Sequence, residues 1–419
     1  MGQEGTPTSP GGPRPGPRGP SPRRVLLLGF GHVGRAVAER LLEEGHGDPD
    51  FPWRVVGIVD SRGALIDEAG VDLRAALSSK TTAGRLEGPT WRDWDALQAL
   101  DELRPEVVVE VSVADPVRGE PGTTHVLAAL DAGADVVASN KGPFALRHRE
   151  VLAAVARTGR RVRYGTTVGG IVPILETLVE RLPTAEVTQV RAVLNGTTQF
   201  VLDRIAQGAS FDDAVGEARR TGLAEPDPSW DLDGHDAALK AAILHNALFT
   251  PPITAAEVPR DPLGPDLIPR LQKLRSEGKG VAFVTTVRAG SAEVRCEEVR
   301  AGSPWSEGGP ANVFEISTRR VGTLLLQGRG AGPQATATGV LADLTSLEAL
   351  SGHDGPRLRG SAWIERSQWP PRPPVERDTT PVTHDFVHPA VRASWSVPRP
   401  PPTLPSAAAA EAFEEVRPW

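Results

Sequence analysis

The sequence predicts an α/β protein with two parts, a parallel sheet covered by helices and a second α+β domain. Short apolar runs of strand length alternate with amphipathic helices over the first 160 residues. From about residue 165 the order changes, with helices first and alternating strand segments after Thr250. Strands that alternate with helices are typically parallel and buried on both faces.

Four strands and the helices between them account for the predicted parallel sheet. The first strand is an apolar run from Arg24 to Leu28, and the apolar residues after it recur at helical spacing. The later strands are WRVVGIVD, which ends at Asp60, EVVVEVSV, which ends near Val113, and DVVASN, which ends at Asn140. The later helices are DWDALQALDEL, TTHVLAALDAG and REVLAAVARTG.

The second part is predicted from a different order of elements. TVGGIVPILETLVERL indicates a glycine-rich turn and a helix, VTQVRAVLNGTTQFVLDRI a strand, turn and helix, and FDDAVGEARRTG another helix. The strand segments are VAFVTTVRAG, AEVRCEEVR and NVFEISTRRVGTLLLQG, which form a sheet able to pair subunits. A final helix in GRGAGPQATATGVLADLTSL is expected to return to the first domain.

Composition excludes several classes of protein. The chain has 419 residues, a net charge of −7 and no basic run, so nucleic acid is not an expected partner. No apolar run approaches the roughly 18 residues of a membrane span, and the N-terminus lacks the apolar core of a signal peptide. The single cysteine, Cys296, excludes an intrachain disulfide framework. We therefore expect a cytoplasmic protein with no membrane contact.

A glycine motif follows the first strand and opens the first helix. In the pattern G-x-G-x-x-G, the first glycine permits the turn, the second lets a pyrophosphate approach the backbone, and the third allows close packing of helix on strand. The helix N-terminus offers free N–H groups to phosphates. The motif therefore predicts a Rossmann-type domain that binds NAD(P). Its residues are Gly29, Phe30, Gly31, His32, Val33 and Gly34.

The end of the second strand bears on which nucleotide binds. Asp60 lies 26 positions after Gly34, where a carboxylate accepts hydrogen bonds from the adenosine ribose, which favours NAD. Arg62 and Lys80 can instead neutralise a 2′-phosphate, which favours NADP. Ordinary surface cations explain these two residues equally well, and the preference stays open.

Polar residues follow the third and fourth strands, where ligands bind in such sheets. Ser112 follows the third strand, and Ser139, Asn140 and Lys141 follow the fourth. A lysine at a strand end is often only solvated. Beside a nicotinamide pocket, however, Lys141 can stabilise the negative charge that develops on a substrate oxygen.

The acidic segment GLAEPDPSWDLDGHDAALK, from Gly222 to Lys240, is the most informative stretch of the chain. Its composition alone is typical of a solvated loop. Prolines and glycine, however, restrict its path, and Asp236 and Lys240 lie four residues apart at the start of a helix, on one face. Carboxylates beside a lysine on a rigid helix can bind an ammonium group and move a proton. His235 and His245 lack the spacing of metal ligands.

With these residues in place, the chain resembles homoserine dehydrogenases that lack a fused aspartate kinase. The resemblance covers roughly residues 24 to 350 and rests on GFGHVGR, SNKGPFAL, TVGGIVPI, LNGTTQF and, above all, the block from Ala218 to Lys240. GRGAGPQATATGVLADL, with Gly332, resembles the family's return helix beside the cofactor. The last 65 or so residues do not resemble the ACT regulatory domain of longer members.

The resemblance implies NAD(P)-dependent interconversion of L-homoserine and L-aspartate 4-semialdehyde, and a homodimer. It implies that Lys240 is the acid and base at the reacting oxygen, assisted by Lys141. It also implies that a monovalent cation, Na⁺ or K⁺, binds carbonyl oxygens of a loop, although such tight turns often need no ion. The residues implied to hold the substrate, its ammonium group or the catalytic lysine are Glu225, Asp231 and Asp236, and Gly222 is implied to lie against substrate or cofactor. The implied cation residues are Gly165, Val168, Gly170 and Val172.

Two alternative functions are compatible with parts of the sequence. Another oxidoreductase of the same architecture would keep the glycine motif but not need the whole spacing from Glu225 to Lys240. A catalytically silent NAD(P)-binding sensor would not need the lysines. The predicted parts are a disordered Pro/Gly-rich tail (1–22), an NAD(P)-binding Rossmann domain (23–160), a catalytic and dimerisation domain (161–328), the returning helix (329–352) and an irregular Pro/Trp-rich tail (353–419).

Overall fold

A computed structural model of the chain describes residues 21–48, 51–306 and 311–349. The two predicted tails lie outside these ranges, apart from Ser21 and Pro22. Within the described part, no helix is both long enough and apolar enough to span a membrane.

The first sheet has seven strands: β1 (Arg23–Leu28), β2 (Trp53–Asp60), β3 (Gly63–Ile66), β4 (Trp91–Arg92), β5 (Val107–Glu110), β6 (Asp135–Ala138) and β7 (Val162–Arg163). Their order is β4-β3-β2-β1-β5-β6-β7. The five strands from β2 to β7 in this order are parallel, which confirms the predicted fold class, and β3 and β4 add an antiparallel edge. The helices of this part are α1 (His32–Glu43), α2 (Leu73–Ala83), α3 (Ala96–Leu103), α4 (Gly122–Asp131), α5 (Gly142–Ala145) and α6 (His148–Thr158).

The second sheet has five strands: β8 (Val187–Val193), β9 (Lys279–Arg288), β10 (Ser291–Arg300), β11 (Ala311–Thr318) and β12 (Gly322–Arg329). Their order is β10-β9-β8-β11-β12, and every neighbouring pair is antiparallel. The helices are α7 (Ile174–Glu176), which continues as a π-helical turn (Thr177–Arg181), α8 (Gly196–Ala206), α9 (Phe211–Arg220), α10 (Ser229–Leu232), α11 (His235–Leu248), α12 (Ile268–Ser276) and α13 (Pro333–Ala349).

Both faces of β1 are buried from Val25 onward, which explains why its sequence is continuously apolar from Val25 to Leu28. Val25 and Leu27 belong to the core that α1 and α13 cover. Leu26 and Leu28 point to the opposite face, into a core that extends to the second sheet. Since α13 packs along α1, the end of the described chain returns to the first sheet.

Three neighbouring parallel strands end at the same level. The register pairs Leu28 of β1 with Glu110 of β5, and Glu110 with Ala138 of β6. The loops that follow these strands therefore lie side by side at the carboxyl edge of the sheet. In sheets of this kind, that edge is where ligands bind.

The sequence did not predict the helices α2, α5, α10 and α12 or the strands β3, β4 and β7. β4 is only two residues long, so it carries no periodic pattern. Asp72 caps α2 by accepting a hydrogen bond from the Ala75 N–H, but the helix buries only Leu73 and Ala76. A helix that buries so little leaves a weak apolar signal in its sequence.

Close packing of β1 and α1 gives a prediction about Gly34. A Cβ atom at this position would lie 2.1 Å from the carbonyl oxygen of Gly29, a backbone atom that cannot swing away. Gly34→Ala is therefore expected to lower the free energy of unfolding by about 1–3 kcal/mol, as measured by urea denaturation. Gly31→Ala is the matched control, since nothing lies within 4 Å of its added Cβ. Equal stability of the two variants would contradict the packing argument.

Candidate active site

The glycine turn between β1 and α1 has the geometry of a phosphate-binding loop. Gly29 has a φ of +101°, and its Cα lies directly against the backbone of Ser112 at the end of β5. Gly31 is exposed, and no side chain caps the α1 N-terminus that follows it. Phe30 is buried in the core, so only its main chain can face a ligand. The turn thus leaves backbone N–H groups open to an anion.

Asp60 is already engaged at the end of β2. One carboxylate oxygen forms an ion pair with Lys80, and the other accepts a hydrogen bond from the backbone N–H of Arg62 at 2.8 Å. The Asp60 side chain is almost fully buried, whereas Arg62 is exposed. The structure therefore brings the three predicted ribose and 2′-phosphate residues together around one carboxylate.

Lys240 is a buried lysine with two close partners. Its Nζ lies 2.6 Å from Oδ2 of Asp236 and donates a hydrogen bond of 2.7 Å to the carbonyl oxygen of Leu194. Asp236 and Lys240 belong to α11 at the predicted spacing of four residues. Gly234 is the N-cap of this helix, and its φ of +75° allows the chain to turn sharply into α11.

A second lysine reaches the same carboxylate from the first sheet. The Nζ of Lys141, which follows β6, lies 3.5 Å from Oδ1 of Asp236. Burial opposes ionisation of Asp236, but the charges of Lys240 and Lys141 and hydrogen bonds from Lys240 and Asn195 outweigh it. These partners hold the pKa of Asp236 well below its usual value. Asp236 is consequently an anion at neutral pH, located between two amines.

Asn195 was not predicted to belong to the site. Its Nδ2 donates to Oδ1 of Asp231 at 2.7 Å and to Oδ2 of Asp236 at 3.2 Å. Its Oδ1 accepts a hydrogen bond from the Thr198 N–H and so caps α8. The sequence signal was present in LNGTTQF, where an asparagine precedes a helix, but a cap alone does not indicate a site.

Asp231 differs electrostatically from Asp236. Burial and the negative charge of Asp236 raise the pKa of Asp231, while the hydrogen bond from Asn195 and the charge of Lys240 act in the opposite direction. The two carboxylates therefore share one amide bridge but hold their protons with different strength. Such divergence between neighbouring acids is typical of active sites.

Glu225 and Gly222 lie apart from this cluster. The Glu225 side chain is exposed, and no hydrogen bond or ion pair joins it to another described residue. Gly222 is also exposed and has a φ of +72°. The chain between Gly222 and Glu225 is held to α8 at Leu223, whose carbonyl oxygen accepts a hydrogen bond of 2.8 Å from Oγ1 of Thr197. The structure thus brings together Lys240, Lys141, Asp236 and Asp231, but not Glu225.

The predicted cation loop is buried beside two acidic residues. Gly165 donates its N–H to Asp343 of α13 at 3.1 Å, and a Cβ at Gly165 would lie 2.3 Å from Oε1 of Glu176. Burial raises the pKa of both Asp343 and Glu176. Two of the four predicted carbonyl ligands already accept backbone hydrogen bonds, Gly165 from Val168 and Val172 from Ile174.

The polar residues after β5 and β6 lie at the carboxyl edge, as the register requires. Ser112, Ser139 and Lys141 are partly exposed there, while Asn140 is buried. Glu110, a fully buried residue that sequence reasoning missed, accepts hydrogen bonds from Ser112. Gly332 lies just before α13, the helix that packs on α1.

Comparison with known proteins gives one consistent family. A family model described as "Homoserine dehydrogenase" matches residues 173–345, and one described as "Homoserine dehydrogenase, NAD binding domain" matches residues 29–165. The homoserine dehydrogenase of Methanocaldococcus jannaschii is 31% identical over 332 residues, which cover 77% of this chain and 98% of that protein. An NAD(+)-dependent homoserine dehydrogenase of Pseudomonas canavaninivorans is 29% identical, with coverage of 77% and 96%.

Solved structures agree with this result. A hyperthermophilic archaeal homoserine dehydrogenase in complex with NADPH superimposes with a TM-score of 0.68 at 29% identity. The match covers 80% of this chain and 99% of that one.

The pair of Asp236 and Lys240 gives a prediction about stability. Asp236→Asn removes the negative charge beside a buried ammonium group and is expected to lower the free energy of unfolding by about 3 kcal/mol. The double variant Asp236→Asn with Lys240→Met removes both charges and should recover much of this loss. Chemical denaturation at neutral pH measures both effects. A double variant no more stable than the single one would show that the charge on Lys240 is not what the carboxylate compensates.

Proposed function

We propose that this chain, which belongs to the homoserine dehydrogenase family, interconverts L-homoserine and L-aspartate 4-semialdehyde with NAD(P). It is an NAD(P)-dependent oxidoreductase of amino-acid biosynthesis. The reaction lies on the route to threonine, methionine and isoleucine. The proposal rests on Lys240, a buried lysine that contacts Asp236 and the Leu194 carbonyl, with Lys141 of the first sheet on the same carboxylate.

The contacts of Lys240 leave one position for the substrate. An ammonium group has three N–H bonds. Asp236 and the Leu194 carbonyl take two of them, and within the described part of the chain the third is left for a ligand oxygen. Asp236 is in α11 and Leu194 directly follows β8, so these two contacts restrict the direction of the third N–H. This is the arrangement that a proton donor needs at a reacting oxygen.

The proposed reaction divides between the cofactor and Lys240. The nicotinamide, when bound, accepts a hydride from the hydroxyl-bearing carbon of homoserine or returns it to the aldehyde carbon. Lys240 takes the hydroxyl proton as the alcohol is oxidised and gives it back as the aldehyde is reduced. Lys141, with its Nζ on the other side of Asp236, stabilises negative charge on the same oxygen.

The carboxylates are proposed to hold the amino-acid end of the substrate. Asp231 and Asp236 belong to the same cluster as Lys240, and exposed Glu225 can reach an ammonium group when the segment after Gly222 closes over the ligand. Charge-assisted hydrogen bonds to an ammonium are stronger than neutral ones. A Michaelis constant for homoserine that is unchanged in Glu225→Gln would remove Glu225 from this role.

NAD(P) is proposed to lie along the carboxyl edge of the first sheet. The exposed Gly31 and the uncapped α1 N-terminus suit the pyrophosphate, and the cluster of Asp60, Arg62 and Lys80 suits the adenosine ribose. A free ribose would compete with Lys80 for Asp60, whereas a 2′-phosphate would compete with Asp60 for Lys80. The ratio of kcat/KM for NAD to kcat/KM for NADP shows whether the site prefers a free ribose at Asp60 or a 2′-phosphate at Lys80. Equal binding after Lys80 and Arg62 are both replaced by alanine would place the ribose elsewhere.

A monovalent cation is also proposed, at the loop from Gly165 to Val172. The carbonyl oxygens of Val168 and Gly170 accept no hydrogen bond from other described residues, and Oε2 of Glu176 is buried without a partner among them. Carbonyl and carboxylate oxygens are suitable ligands for a hard cation. Initial rates that are the same in K⁺, Na⁺ and tetramethylammonium salts would argue against the site.

The chain is proposed to be a homodimer in the cytoplasm. β12 is an edge strand of the second sheet, and no described strand pairs with its outer side. Leu325 on this strand is 51% exposed, and an exposed apolar edge favours pairing with another chain. A molar mass of one subunit by light scattering would exclude the dimer. Recovery outside the soluble cytoplasmic fraction of cells would exclude the location.

The decisive test of the function uses Lys240. The wild-type protein should reduce NAD or NADP when given L-homoserine but not L-serine or L-threonine, followed by the absorbance of the reduced nicotinamide. Lys240→Met is expected to lower kcat about 10³-fold, because it removes the proton carrier, and to leave the Kd for the nucleotide nearly unchanged. Lys273→Met, on the exposed face of α12, is the matched control. Full activity of Lys240→Met would contradict the proposal.

A further inference from the structure

A fully buried carboxylate lies at the carboxyl end of the central strand β5. Glu110 is 0% exposed and ends the sequence VVVE, in which the other three residues are apolar. Its Oε2 lies 2.7 Å from Nδ1 of His125 on α4. Its Oε1 accepts hydrogen bonds from the Ser112 N–H at 3.0 Å, from the Ser112 hydroxyl and from Nδ2 of Asn140 at 3.5 Å. Both oxygens of Glu110 are therefore fully used inside the protein.

Two partners of Glu110, Ser112 and Asn140, lie at opposite ends of the proposed cofactor site, beside the glycine turn and beside Lys141. The backbone of Ser112 lies against Gly29, so its position fixes the wall of the phosphate-binding turn. The Oδ1 of Asn140 accepts a hydrogen bond of 3.1 Å from the N–H of Gly142, on the far side of Lys141. One carboxylate thus connects the glycine turn to the loop that carries Lys141.

The surrounding backbone is shaped to admit this network. A Cβ at Gly122, the first residue of α4, would lie 2.5 Å from Nδ2 of Asn140. A Cβ at Gly142 would lie 2.5 Å from Cα of Gly119. Side chains at these positions would displace Asn140 or the loop after Lys141. The network therefore requires that the chain at Gly119, the start of α4 at Gly122 and the loop from Asn140 to Gly142 approach each other closely.

Stability alone does not account for a glutamate at this position. Burying a carboxylate costs free energy that its hydrogen bonds must offset. Well-packed apolar groups often stabilise a core at least as well as buried charges do. An apolar residue would also continue the pattern of β5. What an apolar residue cannot do is fix the hydroxyl of Ser112 and the amide of Asn140 in one orientation.

We propose that Glu110, oriented by His125, is a positioning residue that sets Ser112 and the loop from Asn140 to Gly142 for the nicotinamide cofactor. Glu110 itself is fully buried, so it acts through these partners. The inference rests on the proposed function for the identity of the cofactor. Its test measures nucleotide binding without homoserine, so failure of the dehydrogenase activity leaves the result interpretable.

The first experiment compares Glu110→Gln with a matched control. Glu110→Gln keeps the shape but presents an amide where the carboxylate accepted four hydrogen bonds. The probe is NADH or NADPH, whichever the wild type binds more tightly, and its Kd by calorimetry is expected to rise about tenfold, as is typical when one hydrogen bond to a charged group is lost. The control is Asp135→Asn, at the opposite end of the sheet on β6, where a buried carboxylate pairs with Arg23 and Arg161. It should lower the melting temperature and leave the Kd unchanged. Equal Kd values for both variants and the wild type would overturn the proposal.

A second comparison separates positioning from a structural role. His125→Asn retains an N–H donor for Glu110 and should bind the same reduced nucleotide like the wild type, whereas His125→Leu should weaken binding. In a double-mutant cycle, Glu110→Gln should change the Kd less when Ser112 is already replaced by alanine, because Glu110 acts through Ser112. Fully additive effects, or equal weakening by both His125 variants, would contradict action through Ser112. If Glu110→Gln does not fold, the His125 pair still decides the question.

Discussion

The site depends on one buried anion that two lysines share. Asp236 lies between Lys240 on its own helix and Lys141 from the loop after β6. Removing a carboxylate from water is costly, and among the described residues the two amines and the Asn195 amide offset that cost. The charge of Asp236 therefore favours a close approach of α11 and the loop after β6, so the ion cluster connects the second part of the chain to the first sheet.

The first sheet provides the other constraint, since its parallel strands end at a common edge. The glycine turn, Ser112 and Lys141 follow strands that are neighbours in space. No side chain is needed to bring them together, because the register of the backbone does so. The side chains then adjust the distances within this frame, with Glu110 connecting the segments after β5 and β6. Because the strand ends are neighbours and Glu110 connects the segments that follow two of them, a change at Glu110 can affect both ends of the proposed cofactor site.

The sequence predicted the parts of the fold and site that depend on local pattern. Alternating strands and helices gave the parallel sheet, and the spacing of four residues gave the contact of Asp236 with Lys240. Contacts between distant segments could not be read in this way. Asn195 meets Asp231 and Asp236 across 36 and 41 residues, and Glu110 meets Asn140 across 30. Each of these residues has an ordinary local explanation, as a helix cap or a strand end, and that explanation conceals its second role.

Composition also could not assign roles within the acidic segment, because identical residues meet different environments. Asp231 and Asp236 are five positions apart and share the amide of Asn195, yet the pKa of Asp231 is raised and that of Asp236 is lowered. The difference arises because the lysines lie closer to Asp236, whereas Asp231 faces the charge of Asp236 itself. Once Asp236 holds both amines, Asp231 has no cation of its own among the described residues. An ammonium group from outside the chain is the ion that would restore the balance, and an amino-acid substrate carries one.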